Sequence, residues 1–307
     1  MSAAPLVSIL IPAYRPRFFG EALASARAQR HGNLEIVVGD DSPGGEIAAA
    51  VKAADDPRIR YERHEPALGF AGNFTRLFEV SRGPFVKFLN DDDVLHPDCV
   101  PRLLAPLLAR PDLVLATSRR AVIGADGGAL AGDTATLPLM PADGFMAGRA
   151  LGTFLLRLGV NRIGEPSTVL FRRDAVSLEG GSIFRWGANE YECLADLSLW
   201  LRLLAKGGAW WAAEPLSAYR WHEGQQQRTP GTAVKCILER WLLVEDGARA
   251  GFLDSPADHD EAARVAAGVF RRFVDDPAQA PELRSALRDF LPRIPARYLA
   301  APAGGAA

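Results

Sequence analysis

The fold is first indicated by Leu6-Val7-Ser8-Ile9-Leu10-Ile11, which is followed at once by Pro12-Ala13-Tyr14. This apolar run is typical of a strand buried on both faces, and Pro12 stops it because proline donates no ladder hydrogen bond. A second apolar run, Leu34 to Val38, ends at Asp40-Asp41, and the helix-like stretch Phe18 to Gln29 lies between the two runs. A strand, a helix and a strand in this order predict a parallel pair joined by a crossover helix.

The same alternation continues through the first third of the chain. Further strands are predicted at 58–62, 84–89 and 112–117, and further helices at 47–54, 74–80 and 97–109. This spacing predicts an α/β fold, in which a mainly parallel central sheet is flanked by helices on both faces.

The pattern changes in the rest of the chain. Residues 119–144 are rich in glycine and are expected to form a hairpin and loops. Helices are then predicted at 144–158 and 193–206, with short strands at 168–171, 210–213 and 216–219. Three amphipathic segments, 233–250, 261–274 and 282–290, predict a C-terminal helical extension. The small residues of the tail, 300–307, predict disorder.

Composition excludes several classes of protein. The formal net charge of -2 provides no positive field that would attract nucleic acid, so no nucleic-acid partner is expected. Cys99, Cys193 and Cys236 are odd in number and lack CxxC spacing, which predicts no disulfide framework and favours a reducing compartment. No signal peptide or membrane-spanning run is evident, so a cytoplasmic location is expected. Peripheral contact with the inner face of the membrane stays open.

Carboxylates follow two of the predicted strands. Asp40-Asp41 leave the second strand, and Asn90-Asp91-Asp92-Asp93 leave the fourth. The carboxyl ends of parallel strands meet at one edge of the sheet, where ligands of such folds bind. Two carboxylates about 4 Å apart repel by roughly 4 kcal/mol at an effective dielectric of 20. A divalent cation would reverse that sign, and Mg²⁺ or Mn²⁺ prefers such oxygen ligands. A solvated acidic turn before a helix is the alternative.

Two residues later in the chain are candidates for chemistry. Asp196 opens a predicted helix and lies on the same face as Leu199, Trp200 and Leu203, which suits a general base at the edge of an apolar pocket. A carboxylate that merely favours the helix N-terminus is the simpler interpretation. His222 follows a short strand and could supply a metal nitrogen or contact a diphosphate, although a lone loop histidine is usually just solvated.

Several motifs of other enzyme classes are missing from the sequence. It contains no Walker loop, no GxGxxG after a strand, no GxSxG elbow and no HExxH helix. Kinase, dehydrogenase, α/β-hydrolase and zinc-protease functions are therefore excluded.

Three segments in order resemble the family 2 glycosyltransferases, which have the glycosyltransferase A fold. The similarity covers about residues 6 to 225 and continues through Leu199 to Leu203 and Tyr219 to His222. The segments that carry it are Val7-Ser8-Ile9-Leu10-Ile11-Pro12-Ala13-Tyr14, Glu35-Ile36-Val37-Val38-Gly39-Asp40-Asp41-Ser42 and Phe88-Leu89-Asn90-Asp91-Asp92-Asp93-Val94-Leu95-His96-Pro97.

The resemblance implies an inverting transferase that uses a nucleotide-diphospho sugar and Mg²⁺ or Mn²⁺. Its site residues follow from matching positions. Those implied for the donor are Pro12, Tyr14, Asp40, Asp41, Asp91 and Asp92. Asp93, with Asp91 as the first carboxylate of an Asp-x-Asp pair, and His222 are the implied metal ligands, and Asp196 is the implied catalytic base.

The same resemblance organises the chain by function. Residues 1–118 are expected to bind the donor, and 119–227 to bind the acceptor and carry the base in the same domain. Within that second half, Glu165 and Trp200 are predicted to face the acceptor, against a plain structural role for the loop around Glu165. Residues 228–299 form the extension, which is expected to cap the acceptor side or to form a homodimer. The acceptor is expected to be a saccharide, a lipid-linked molecule or another hydroxyl compound, as in cell-surface polysaccharide or glycoconjugate synthesis.

Three positions depart from the family pattern. Ala195 stands where a glutamate commonly precedes the base, Ser198 replaces an aspartate, and Gly72 replaces a frequent arginine. Ala195 keeps open a non-catalytic nucleotide-sugar or carbohydrate-binding module, because fold alone does not fix function. A nucleotidyltransferase would also need an aspartate-held metal, but Ala13 to Phe18 lacks the glycine-rich loop that such enzymes usually carry.

Overall fold

The structure is a computed structural model that describes residues 4–131, 137–223, 230–274 and 281–299, so the predicted tail 300–307 lies outside the described residues. The strands are β1 Val7–Ala13, β2 Leu34–Asp40, β3 Ile59–Arg63, β4 Phe85–Phe88, β5 Val94–Leu95, β6 Leu113–Ile123, β7 Gly144–Met146, β8 Leu170–Arg172, β9 Arg185–Trp186, β10 Asn189–Glu190 and β11 Gly208–Arg220. The helices are α1 Pro16–Arg27, α2 Glu46–Ala54, α3 Gly69–Val80, α4 Cys99–Ala109, α5 Gly148–Leu158, α6 Ala195–Leu204, α7 Pro230–Arg249, α8 Pro256–Val274, α9 Pro281–Phe290 and α10 Ala296–Leu299.

The predicted α/β sheet is confirmed, and its main part is parallel. Its strand order is β3-β2-β1-β4-β8-β6-β11-β5, with β7 also paired to β11. The strands β1 to β4 are parallel to one another, and β6 is parallel to β11. Short antiparallel strands β5, β7 and β8 complete the sheet. The carboxyl ends of β1, β2, β4, β6 and β11 therefore share one edge.

The two faces of the sheet carry separate apolar layers because side chains alternate along each strand. Leu10 and Val37 join the layer that contains α3, α5, α6 and the C-terminal helices. Ile9 and Ile36 point the other way, into the layer that contains α1, α2 and α4. Both strands are buried on each face, as their unbroken apolar runs predict.

Three local predictions are corrected by the structure. Strand β1 continues through Pro12 to Ala13, although the sequence predicts that Pro12 ends it. The strands expected at 210–213 and 216–219 form one strand, β11, because register shifts on either side of Pro215 accommodate the proline. The helix expected from Gly144 begins at Gly148, after the short strand β7. Residue 118, the predicted end of the donor half, lies inside β6.

The prediction that the cysteines form no disulfide is wrong for one pair. Cys193 is bonded to Cys236 of α7 across 43 residues, with Cα atoms 5.1 Å apart, whereas Cys99 is free and buried. Sequence spacing gave no signal for a bond over this distance. In the described part of the chain, none of the helices combines the length and the apolar character needed to cross a bilayer.

Candidate active site

The site lies at the shared edge of the sheet, and the three successive aspartates after β4 point in three directions. Asp91 turns towards the loop after β1, where its Oδ2 accepts the backbone N–H groups of Tyr14 (2.7 Å) and Arg15 (2.8 Å). Asp91 therefore holds the backbone of the two residues that lead into α1, which begins at Pro16. Burial raises the pKa of Asp91 to about 6.

Asp93 points into the protein and is fully buried. Its Oδ2 accepts hydrogen bonds from Ser167 Oγ (2.6 Å) and Asn90 Nδ2 (3.0 Å), and its Oδ1 accepts the Arg220 N–H (3.0 Å). Burial, followed by the charges of Asp92 and Glu165, raises the pKa of Asp93 well above its usual value. The metal-ligand roles of Asp91 and Asp93 stay predictions, and in this structure protein donors bind both oxygens of Asp93 and the Oδ2 of Asp91.

Asp92 faces His222. The Asp92 Oδ2 and His222 Nε2 atoms are 3.1 Å apart, and the Asp92 side chain retains 19% exposure. The His222 ring also packs on Phe18, with ring centroids 5.1 Å apart. In the described ranges, no group of three or more His, Cys, Asp and Glu side chains converges to hold a metal unaided. A carboxylate beside an imidazole fits a Mg²⁺ or Mn²⁺ ion whose other ligands are substrate phosphates and water.

Arg220, at the end of β11, fixes this corner of the site. Its buried guanidinium donates to the carbonyl oxygens of Asp92 (2.9 Å) and Gly124 (3.2 Å) and to Glu21 Oε2 (2.6 Å). The guanidinium carbon also lies 4.4 Å from the Phe18 ring centroid, in cation–π geometry. Two residues after Arg220 comes His222, so the same anchor sets the backbone on both sides of the Asp92–His222 contact.

Asp196 lies in the first turn of α6. Its Oδ2 accepts a hydrogen bond from Asn161 Nδ2 (2.9 Å), and its Oδ1 accepts the Leu197 N–H (2.7 Å). Burial, with a smaller contribution from the negative charge of Glu165, raises the pKa of Asp196 to about 7. A carboxyl group with this pKa can exchange a proton near neutral pH, which a general base requires.

Glu165 lies in the chain between Asn161, which binds Asp196, and Ser167, which binds Asp93. Its Oε2 is 3.0 Å from Arg120 Nε, and its buried Oε1 has no hydrogen-bond partner among the described residues. Burial raises the pKa of Glu165, and the Arg120 charge opposes that rise. Segment 161–167 thus joins the site, because Asn161 binds Asp196 and Ser167 binds Asp93.

Trp200 is fully buried, which corrects its predicted contact with an acceptor. A ring without exposed surface has no face on which a sugar could stack. Instead its Nε1–H donates to the Gly164 carbonyl oxygen (2.9 Å), one residue before Glu165. Trp200 therefore acts on the site through the loop that it holds.

The last residue of β2, Asp40, and the residue after it, Asp41, form another part of the edge. Asp40 is fully buried, and it accepts hydrogen bonds from Tyr61 Oη (2.6 Å) and Arg63 Nη1 (3.0 Å). Hydrogen bonds outweigh desolvation and lower the pKa of Asp40. Asp41 Oδ1 is 2.8 Å from His64 Nδ1. Tyr14, beside the partly buried Pro12, is 56% exposed and can present its ring to a ligand.

Sequence reasoning missed the residues that hold these carboxylates. They are His64, Arg120, Asn161, Ser167 and Arg220, and Glu21 in turn binds Arg220. All lie outside the apolar alternation and the acidic runs, so no periodicity marked them. Within this loop, Gly164 has a positive φ of 114°, a backbone conformation that favours glycine.

Replacing Gly164 by alanine is expected to destabilise the protein by about 1–3 kcal/mol. A Cβ there would lie 2.5 Å from Thr168 Oγ1 and 2.8 Å from Arg120 Nη1, at a φ that favours glycine. The free energy of unfolding in denaturant measures the effect. Gly20→Ala is the control, since Gly20 lies inside α1 with nothing within 4 Å of an added Cβ. Equal stability of the two variants would contradict the prediction.

Comparisons with known proteins show the family to which the chain is similar. The family model for glycosyl transferase family 2 matches residues 8–176. An uncharacterized protein of Mycobacterium tuberculosis is 31% identical over 256 residues, which are 79% of this chain and 77% of that protein. The putative colanic acid biosynthesis glycosyl transferase WcaA of Escherichia coli is 24% identical, covering 68% of this chain and 70% of WcaA.

A solved structure shares the fold at low sequence identity. The crystal structure of S. aureus TarS residues 1–349 with UDP-GlcNAc aligns with a TM-score of 0.64 and 14% identity. The alignment covers 95% of this chain and 82% of that one, so it includes the C-terminal helices.

Proposed function

The chain belongs to glycosyl transferase family 2, and from that membership we propose that it is an inverting transferase that moves a sugar from a nucleotide-diphospho sugar to an acceptor hydroxyl. One observation carries the proposal. A single segment, 161–167, binds the aspartate of α6 at one end and the acidic turn after β4 at the other. This link supports a displacement reaction in which an activated acceptor and a held leaving group lie on opposite sides of one sugar.

Asp196 is the proposed general base. Its carboxylate takes the proton of the acceptor hydroxyl while the hydroxyl oxygen bonds to the anomeric carbon and the bond from that carbon to the diphosphate breaks. Attack from the side opposite the diphosphate inverts the anomeric configuration. Holding both substrates in line lowers the barrier because no encounter is needed at the moment of reaction.

Asp92 and His222 are the proposed ligands of a Mg²⁺ or Mn²⁺ ion. Their 3.1 Å contact supports this choice over Asp93, whose oxygens already accept three hydrogen bonds. When bound, such an ion would neutralise negative charge on the leaving nucleoside diphosphate. The chain's own contribution is to hold both ligands rigidly, which Arg220 does through the Asp92 carbonyl oxygen.

The donor's nucleoside is proposed to lie between Tyr14 and Asp41, on the side of the sheet edge away from Asp196. The exposed ring of Tyr14 suits stacking. Asp41 Oδ1 is already bound to His64 and to the Leu68 N–H, so the nucleobase of the donor would bind the other oxygen, Oδ2. The acceptor is proposed to be a hydroxyl of a growing cell-surface polysaccharide or glycoconjugate, by analogy with WcaA, a putative colanic acid biosynthesis glycosyl transferase.

A donor panel tests the proposed function. The protein is incubated with UDP-, GDP- and dTDP-sugars, with and without Mn²⁺, while the melting temperature and the release of free nucleoside diphosphate are followed. A true donor stabilises the folded state by about 2.7 kcal/mol at a concentration of 100 Kd. Slow release of nucleoside diphosphate supports the transferase, because water can replace a missing acceptor. Stabilisation without any release would support the non-catalytic module instead.

The rate constant for nucleoside diphosphate release is expected to rise with pH around a midpoint of about 7. Burial raises the pKa of Asp196 to about 7, and a base works only when deprotonated, so activity is lost as pH falls through that value. Glu165→Gln should move the midpoint to lower pH, since it removes a negative charge that helps keep Asp196 protonated. The profile is measured at saturating donor from about pH 5 to 9. A rate that is flat in pH would contradict the role of Asp196.

A further inference from the structure

Helix α7, in the C-terminal extension, binds the turn that leads into α6. The Glu239 carboxylate accepts the backbone N–H groups of Glu192 (2.9 Å), Cys193 (3.0 Å) and Leu194 (2.6 Å). Glu239 is only 5% exposed, so these hydrogen bonds are shielded from water. Asp196, the proposed base, follows Leu194 by two residues.

Two further contacts lie on the same face of α7. Cys236, one helical turn before Glu239, forms the disulfide with Cys193. Asp246, two turns beyond Glu239, accepts hydrogen bonds from Tyr191 Oη (2.6 Å) and Asn189 Nδ2 (2.9 Å). One face of α7 thus binds segment 189–194 at three points.

Glu239 supplies the hydrogen-bond acceptor for the turn that precedes α6. The N–H groups of residues 192–194 lie before α6 and have Glu239 as their side-chain acceptor, whereas within the first turn of α6 Asp196 Oδ1 accepts the Leu197 N–H. A buried carboxylate that accepts three backbone N–H groups makes strong, charge-assisted hydrogen bonds. Loss of Glu239 would leave those donors without a partner, and the turn would have to move to reach water.

We propose that Glu239 is a positioning residue for catalysis, which, together with the Cys193–Cys236 disulfide, fixes the turn from which Asp196 reaches the acceptor. The inference rests on the proposed function, because it takes Asp196 as the base. It assigns a role in the reaction to α7, which lies beyond the matched segment 8–176.

The disulfide makes this positioning sensitive to thiols. A dithiol reductant would deliver two electrons and two protons to the Cys193–Cys236 bond and give two thiols, while the reductant closes its own disulfide. Glu239 would still hold the turn after reduction. The effect of reduction on the base should therefore be small in the native protein and large once Glu239 is gone.

The test compares Glu239→Ala, Glu239→Gln and a Cys193→Ser/Cys236→Ser double variant. Glu245→Ala is the matched control, because Glu245 lies on the same helix but binds Trp241 and Arg293. Three quantities are measured: kcat for UDP release from UDP-GlcNAc and UDP-glucose, the Kd of UDP, and amide hydrogen exchange of residues 192–198. Each is measured with and without dithiothreitol.

Glu239→Ala is expected to lower kcat about 10- to 100-fold, as a small displacement of a catalytic group does, with the Kd of UDP unchanged. Amides 192–194 should exchange faster. Glu239→Gln should recover most of kcat, since its amide oxygen still accepts hydrogen bonds. Dithiothreitol should lower kcat further in Glu239→Ala, and the cysteine double variant should not respond to it.

Unchanged kcat in Glu239→Ala, or a fall matched by a weaker Kd of UDP, would overturn the inference. If the native protein releases no nucleoside diphosphate from these donors or from any other sugar of the donor panel, the proposed function fails instead. The positioning role is then judged from the NMR titration of the Asp196 carboxyl. Its midpoint should fall in Glu239→Ala and hold in Glu239→Gln and Glu245→Ala, and an unchanged midpoint would refute the inference.

Discussion

Replacing Asp196 by asparagine is expected to lower kcat for sugar transfer or donor hydrolysis on the order of 10³-fold, as the loss of a general base does. Asparagine keeps the size of the side chain and an oxygen for the Asn161 N–H, but it cannot take a proton. Donor binding should be unchanged, because the proposed donor contacts, Tyr14 and Asp41, follow strands β1 and β2 and do not include Asp196. Both kcat and the Kd of UDP are measured at about pH 8, where the base is mostly ionised.

Stability separates this loss from unfolding. Desolvation raises the pKa of Asp196 to about 7, so the folded chain keeps this proton in the range from the ordinary aspartate pKa up to about pH 7. Stability is therefore lost as pH rises through that range, and asparagine has no charge to bury. Asp196→Asn should melt at nearly the same temperature, because the removed charge offsets the lost acceptor of the Leu197 N–H. Asp258→Asn is the control, since Asp258 also lies in the first turn of a helix. Full activity in Asp196→Asn would rule out the proposed base.

Replacing Asp92 by asparagine is expected to remove the Mn²⁺-dependent part of donor binding and to lower kcat/KM roughly 10²- to 10³-fold, equivalent to about 3–4 kcal/mol. Asp92 is partly exposed, and its Oδ2 contacts His222, so the substitution should leave the melting temperature nearly unchanged. Titration of UDP with and without Mn²⁺ measures the metal-dependent binding. His222→Ala should reproduce the loss.

Asp93→Asn is the informative comparison. Asp93 is buried and accepts hydrogen bonds from Ser167, Asn90 and Arg220, so an amide in its place would disrupt that set. We expect a lower melting temperature with the Mn²⁺ response retained. The opposite pattern, a stable Asp93→Asn protein without a Mn²⁺ response, would indicate that Asp93 is a metal ligand, as the resemblance implies.

The sheet could be predicted because burial on both faces leaves an unbroken apolar run, as in β1 and β2. The directions of Asp91, Asp92 and Asp93 could not, since they depend on what each carboxylate meets in space. Tyr14, His222 and Ser167 meet them from three distant parts of the chain. Composition and spacing record none of these partners. The turn before α6 is a similar case, because its acceptor, Glu239, lies on another helix.

Proline misled the prediction of β11 for a physical reason. Pro215 cannot donate a ladder hydrogen bond, and the sequence therefore predicts a break between two short strands. The register shifts flanking Pro215 let the strand continue to Arg220. That continuation places the backbone of Arg220 against Asp93 and brings His222 to Asp92. A local irregularity in a strand thus decided where a site residue lies.

The pairing of β6 with β11 constrains how this molecule can be recombined with its relatives. A chimera joined at residue 118 would splice a hybrid strand into the middle of the sheet, because β6 runs from Leu113 to Ile123. Exchange of segment 189–249 as one cassette would instead transplant α6 together with the helix that grips its entrance. Shuffling in search of new acceptors should therefore keep these two helices from a single parent.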